Sequence, residues 1–207
     1  MKDDTEYRGY MIRIMNEDCP LNPRTDWDNF GKMWCWHNRY ALGDEDDEKP
    51  KSKDFNGFEE IREYIEEKYK ALVILPIFMY DHSGISISTG RDYPFNDRWD
   101  AGQIGYIFAT KKDIEENYEG RTDEVILKDV EEHLVSEVKT YDEYLCGEVY
   151  GYSIIEKKKC ECCGHTDEIV VDSCSGYYGE SGRKYALEEA KNFIDSIYNA
   201  AIAEEKN

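Results

Sequence analysis

Three cysteines and a histidine fall within one short run, Cys160-Glu161-Cys162-Cys163-Gly164-His165. A C-x2-C pair, here Cys160 and Cys163, lets a tight turn aim two thiolates at one tetrahedral zinc ion, and Gly164 relieves the backbone of that turn. His165 follows as a third ligand. A closed structural site takes four ligands. Cys19, Cys35 or His37 would supply the fourth if the long segment that carries them folded over the turn. Cys174 joins only if the intervening strand bends sharply, because a regular strand puts it about 30 Å from the turn. Cys162 is not expected to share an ion with both of its neighbours. The run therefore reads as Cys160, Cys163 and His165 around a structural zinc, or as a reduced, exposed hairpin tip whose thiols oxidise readily. Seven cysteines, odd in number and unevenly spaced, do not make a secreted disulfide scaffold.

Hydrolytic chemistry would have to come from the Asp/His set. Asp81-His82 ends a strongly apolar run, Asp100 precedes another, and Asp26, Asp28 and His37 lie in an aromatic stretch. Carboxylates gathered at strand ends can hold Mg2+ for phosphodiester chemistry. A metal-dependent hydrolase or nuclease using Asp81, His82 and Asp100 is therefore the enzymatic alternative. Asp-His-Ser-Gly is also good turn chemistry, and Asp26 and Asp28 are natural helix caps. Other templates fail. Gly147-Glu148-Val149-Tyr150-Gly151 has Val where G-x-S-x-G needs Ser, and Gly176-Tyr177-Tyr178-Gly179 is no phosphate loop. No residue is assigned a catalytic role.

Carboxylates dominate the rest. The chain of 207 residues carries 46 Asp and Glu against 26 Lys and Arg, a formal charge of −20. That balance opposes direct binding to nucleic acid and to anionic membrane surfaces. Twelve acids between Asp113 and Glu143 face only Arg121, Lys128 and Lys139. Asp54 to Tyr69 and the run Asp44 to Glu48 hold most of the remaining excess. Rows of carboxylates on rigid helices imitate the phosphate lines of a duplex and attract a basic groove. The residues expected to meet such a partner are Asp113, Glu115, Glu116, Asp123, Glu124, Asp129, Glu131 and Glu132, then Glu59, Glu63 and Glu66. The same acidity would also simply keep a small protein soluble and monomeric. Seventeen tyrosines admit two uses as well, a contact surface or the core of a chain poor in aliphatics.

These residues need elements to position them. Phe58, Ile61, Ile65 and Tyr69 share one face of an amphipathic helix over 58–69. Ala71 to Tyr80 is the strongest strand, joined by the turn at 81–84 to a second strand, Ile85 to Thr89. Gly102 to Thr110 makes a third, and helical patterns follow over 111–118 and about 123–144. Strands over 149–157 and 168–174 flank the cysteines, and a helix closes the chain over about 183–204, with Leu187, Ala190, Ile194, Ile197 and Ala201 in a stripe. Gly9 to Ile14 is a first short strand. Residues 16–53 are irregular but rich in aromatics, with spacing that allows a short helix over 27–39 capped by Asp26, and Asp44 to Glu48 reads as a solvated loop. Strands arrive in hairpin order, so the expectation is an α+β fold, one domain over 1–207, with an antiparallel sheet of about five to six strands. The longest apolar stretch, Ala71 to Met79, is too short to span a bilayer, and the acidic N-terminus has no signal region. An intracellular, cytoplasmic setting follows.

Four blocks together carry a family resemblance: Asp26-Trp27-Asp28-Asn29 with Cys35-Trp36-His37-Asn38-Arg39-Tyr40; Leu75 to Thr89; Trp99 to Tyr106; and Thr140-Tyr141 with Gly147 to Tyr152. The combination, covering most of residues 22–178, resembles a family of small acidic proteins of bacteriophages and other mobile elements. The resemblance implies a setting rather than a reaction: a phage accessory protein acting in the cytoplasm of a bacterial host. With the acidity, it points to a non-enzymatic inhibitor of a host nucleic-acid-handling defence protein, a CRISPR effector or a restriction enzyme. A scaffolding module with a zinc-stabilised tip is a further alternative.

Overall fold

The computed structural model describes residues 2–90, 93–95 and 99–205, and for 2 and 201–205 the backbone alone. It is α+β, with antiparallel sheets packed by amphipathic helices. The described strands are shared between two four-stranded sheets, ordered β1-β2-β7-β8 and β3-β6-β4-β5. The elements are β1 (Lys2–Tyr7), β2 (Tyr10–Asn16), β3 (Lys32–Cys35), α1 (Phe58–Tyr69), β4 (Ala71–Asp81), β5 (Ile85–Thr89), β6 (Ala101–Thr110), α2 (Lys111–Asn117), α3 (Glu124–Leu145), β7 (Val149–Lys159), β8 (Thr166–Tyr178) and α4 (Gly179–Glu205). Each sheet anchors a compact unit, one formed by 1–21 with 147–207, the other by 22–146.

In the 22–146 unit the sheet is covered on both faces. Met33, Val73, Leu75, Ile77, Met79 and Ile107 turn to one side, against Ile114 of α2 and Ile126, Val130, Leu134, Val138 and Tyr141 of α3. Trp34, Tyr106 and Phe108 turn to the other, against Ile61 and Ile65 of α1. Period-2 alternation therefore buries both faces of β6, whose residues Ile104 to Ala109 are continuously buried. Gly105 lets β3 approach, since a Cβ there would lie 2.0 Å from the Trp34 carbonyl oxygen.

Residues 27–39, where spacing allowed a helix, instead supply the edge strand β3. Tertiary pairing overrides weak periodicity here: Trp34 has a core place against Phe108 that only an extended backbone provides. Asp26 caps no helix; its carboxylate accepts from the Asn22 amide at 2.7 Å.

In the other unit α4 lays Ala186, Ala190 and Ile194 on Ile12, Ile14, Tyr152 and Ile154. Ala201, expected in the same stripe, lies outside the described side chains. β1 had no apolar alternation to announce it. It is joined to β2 by Arg8 and Gly9 with φ 48° and 84°, the doubly left-handed turn that closes a two-residue hairpin.

Candidate functional site

Three constellations carry chemistry. The first is the β7–β8 tip. Lys159 pairs with Thr166, leaving Cys160 to His165 as the turn. The Cys160 amide donates to the His165 carbonyl at 2.7 Å, the Gly164 amide donates back to the Cys160 carbonyl at 2.9 Å, and Gly164 takes φ 73°. This closure gathers Cys160, Cys162 and Cys163, whose sulfurs all lie within 4.8 Å of one another. Cys160 Sγ and Cys162 Sγ are 3.0 Å apart. Three thiolates around one zinc at about 2.3 Å would stand about 3.8 Å apart, so the cluster fits a metal with small adjustment.

Cys162, set aside by spacing alone, belongs to the group; His165 does not, and its Nε2 sits 3.5 Å from Asp167. Spacing could not show this, because a turn that doubles back brings adjacent side chains together in a way an extended run does not. The Cys162 thiol donates to Cys160 and, with the amides of Cys163 and Cys162, lowers the Cys160 thiol to about 6. Cys35, offered as a fourth ligand, is buried in the core, and desolvation pushes its thiol up to about 12.

The second constellation is where β4 ends and β6 begins. The Asp81 amide donates to the Asp100 carbonyl at 2.8 Å, and His82 Nδ1 lies 3.0 Å from the Asp100 carboxylate. Arg39 pairs with Asp81, and the Tyr40 hydroxyl reaches the same carboxylate at 3.4 Å. The Asp100 carboxylate thus meets His82, whereas the Asp81 carboxylate faces Arg39 and Tyr40, members that sequence reasoning missed, and the three expected ligands do not form one group. His37 joins only by stacking on Tyr40, their rings 5.2 Å apart. The contacts are pairwise hydrogen bonds and ion pairs; among the described residues, the metal-competent group of three or more ligand atoms is the thiol tip.

Comparison with protein-family models, with curated proteins and with solved structures finds no match.

The third constellation is the acidic layer on α1, α2 and α3, and here the structure sorts the carboxylates. Asp113 closes a capping box with Thr110, its carboxylate accepting from the Thr110 hydroxyl at 2.6 Å. Asp123 is the N-cap of α3. Burial works against its charge, but the amide of Ile126 and Arg121 outweigh that and hold its carboxyl below the usual range. Glu137 accepts from the Phe30 amide at 2.8 Å and from Arg24 at 2.8 Å. Asp142 accepts from the Ile87 amide at 2.7 Å.

Arg24, with a side chain 0% exposed, also grips Asp44 through two donors at 2.7 and 2.9 Å and the Gly31 carbonyl at 2.7 Å. Asp46 accepts from Trp34 Nε1 at 3.0 Å. The stretch 44–48 is therefore not a plain solvated loop: Asp44 and Asp46 tie residues 24–46 to the sheet and α3.

What remains to face a partner is Glu116, Glu124, Asp129 and Glu132, all exposed, with Glu115 and Glu131 half-buried, and Glu59, Glu63 and Glu66 exposed on α1. Glu115, Glu116 and Glu132 share their charge with Lys111, Lys112 and Lys128 four residues earlier. The tyrosines are largely structural: Tyr106, Tyr141 and Tyr152 are buried. No described helix is long and apolar enough to cross a membrane.

Proposed function

We propose that this chain is a non-enzymatic inhibitor: the carboxylates of α3 occupy the basic nucleic-acid groove of a host defence protein, a CRISPR effector or a restriction enzyme. The observation that carries the reading is the rigidity of the carboxylate row. Five buried residues anchor α3, and its segment 124–132 carries Glu124, Asp129, Glu131 and Glu132 with Lys128, a formal net of three negative charges. At about 1.5 Å rise per residue these net three charges span about 12 Å, close to the spacing of about 3.4 Å per phosphate along one DNA strand. A pre-ordered row loses little entropy on binding and raises the association rate with a basic groove. The phage setting and the bacterial cytoplasm rest on the resemblance of the four sequence blocks.

A pull-down from host lysate across rising salt, with mass spectrometry, tests it. The expected partner is one basic protein, released as salt rises, whose DNA or RNA this chain displaces. Changing Glu124, Asp129, Glu131 and Glu132 to Lys abolishes capture, while Asp81→Ala with His82→Ala leaves it intact. Displacement that survives the charge reversal ends the reading.

The three-thiol tip favours a second assignment that is compatible with the first. Cys160, Cys162 and Cys163 would hold a structural zinc, the fourth ligand coming from His165 after a side-chain rotation or from a partner. Stoichiometric zinc by elemental analysis, lost in Cys160→Ser, is the expected result; zinc unaffected by that change overturns the assignment.

A further inference from the structure

The sulfurs of the β7–β8 tip are placed for a second chemistry besides metal binding. Cys160 Sγ and Cys162 Sγ touch at 3.0 Å, about 1 Å beyond the bonded sulfur separation of about 2.05 Å. Cys163 Sγ completes the group, with all three sulfurs within 4.8 Å of one another. The backbone holds this approach: the hydrogen bonds Cys160 exchanges with His165 and Gly164, at 2.7 and 2.9 Å, close residues 160–165 on themselves. A Cys160–Cys162 bond is therefore a matter of adjustment within one turn, with β7 and β8 left in register.

Access separates these thiols from the rest. Cys162 and Cys163 are exposed and Cys160 is half-buried, so a small oxidant in solution reaches the group. Cys35 is buried in the core, and Cys19, Cys146 and Cys174, although exposed, are not members of the group. A bond from Cys160 to Cys162 closes a loop of only three residues, which constrains the unfolded chain little and adds little stability. Exposed or strained disulfides are the labile ones, so such a bond reopens in excess thiol instead of serving as a permanent staple.

We propose that the tip is a site of reversible thiol–disulfide exchange with a low-molecular-weight disulfide of the glutathione type, closing a bond between Cys160 and Cys162 and leaving Cys163 a thiol. One thiolate of the pair attacks a sulfur of R–S–S–R. That bond breaks, a mixed disulfide forms, and one RS− departs with the electron pair and takes up a proton. The second thiol of the pair passes its proton to water and attacks the protein sulfur of the mixed disulfide, expelling the second RS−. The protein gives up two electrons and two protons, and the small disulfide becomes two thiols. Either order of attack gives the same product. Closure consumes two of the three sulfurs that a metal would use, so closure and zinc binding exclude one another. A tip that closes but takes no zinc keeps this assignment and ends the other; a metal-free tip that stays open does the reverse.

To test it, the full chain is stripped of metal by a chelator, equilibrated with stepped ratios of oxidised to reduced glutathione, quenched with N-ethylmaleimide and digested with trypsin. Cleavage after Lys159 and Arg183 leaves Cys160, Cys162, Cys163 and Cys174 on one peptide. Under oxidising ratios the expected peptide has lost two hydrogens and carries maleimide on Cys163 and Cys174. Excess reduced glutathione should return it to four maleimides. Cys174 serves as the ordinary exposed thiol, and half-closure of the tip is expected at about tenfold less oxidised glutathione than half-modifies Cys174, because the second step is intramolecular. Changing Cys162 and Cys163 together to Ser should prevent closure and leave Cys160 carrying one glutathione. Maleimide on both Cys160 and Cys162 at ratios that already modify Cys174 overturns the proposal. So does a bond mapped to Cys163, or one that joins two chains.

Discussion

The Cys160 thiol, lowered to about 6 by the Cys162 hydrogen bond and the amides of Cys163 and Cys162, is mostly thiolate at neutral pH, where an ordinary cysteine at about 8.5 is protonated. Its folded value lies below its unfolded one. Its contribution to stability is therefore complete above about 8.5 and is lost as pH falls through about 6. With any zinc removed by a chelator, alkylation of Cys160 by iodoacetamide, followed by peptide mass spectrometry, should show a midpoint near pH 6. Cys162→Ala should move that midpoint up toward the ordinary value; an unchanged midpoint would mean that the neighbouring thiol is not the cause.

Arg24 is the opposite kind of residue, wholly buried and committed to structure. Arg24→Met strands Glu137 and Asp44 beside a core with no cation, and should cost about 3–5 kcal/mol in urea unfolding. Breaking the exposed Lys112–Glu116 pair through Lys112→Met should change stability by less than about 1 kcal/mol.

Helix α3 serves two masters with its two faces. Ile126, Val130, Leu134, Val138 and Tyr141 recur at spacings of four, four, four and three, which places one stripe against the sheet and leaves Glu124, Asp129 and Glu132 outside. Leu134→Ala removes a side chain with no exposure and should destabilise by about 2–5 kcal/mol, with cavity formation adding to the lost burial. The turn from β6 into α2 depends on the reciprocal cap of Thr110 and Asp113. Thr110→Ala should cost about 1 kcal/mol, read as a lower denaturation midpoint, whereas Thr110→Ser should recover most of it.

Charge acts over the chain as a whole. A net −20 on 207 residues makes the folded state repel itself, and the Debye length shrinks from about 30 Å at 0.01 M salt to about 8 Å at 0.15 M. The melting temperature should therefore rise over that interval, while capture of a basic partner weakens. Salt thus separates the two consequences of acidity, because one is repulsion within the chain and the other attraction between chains. A melting temperature that falls with salt would mean that ion pairs such as Arg13 with Asp4 and Glu168 outweigh the net repulsion.

Local pattern sufficed wherever a single element satisfies itself. The α1 boundaries, the β4–β5 hairpin, the α3 stripe and the β7–β8 hairpin with its cysteine turn are legible because spacing of 3.6 or 2 residues reports which face is buried. The acidic excess was equally plain, since charge needs only counting. Tertiary structure alone decided which acids are tied into the fold. Asp113, Asp123, Glu137 and Asp142 look like their neighbours in sequence, but each carboxylate is spent on a hydroxyl, an amide or Arg24. It alone converted 27–39 from helix to strand, divided the strands between two sheets, and brought Arg39 to Asp81 across 42 positions. It also brought Cys162 beside Cys160 and Cys163 at the tip and set His165 against Asp167. The physical reason is common to all of these: a partner's distance along the chain says nothing of its distance in space once the backbone has turned, and hydrogen bonds and ligand sets are decided by the latter.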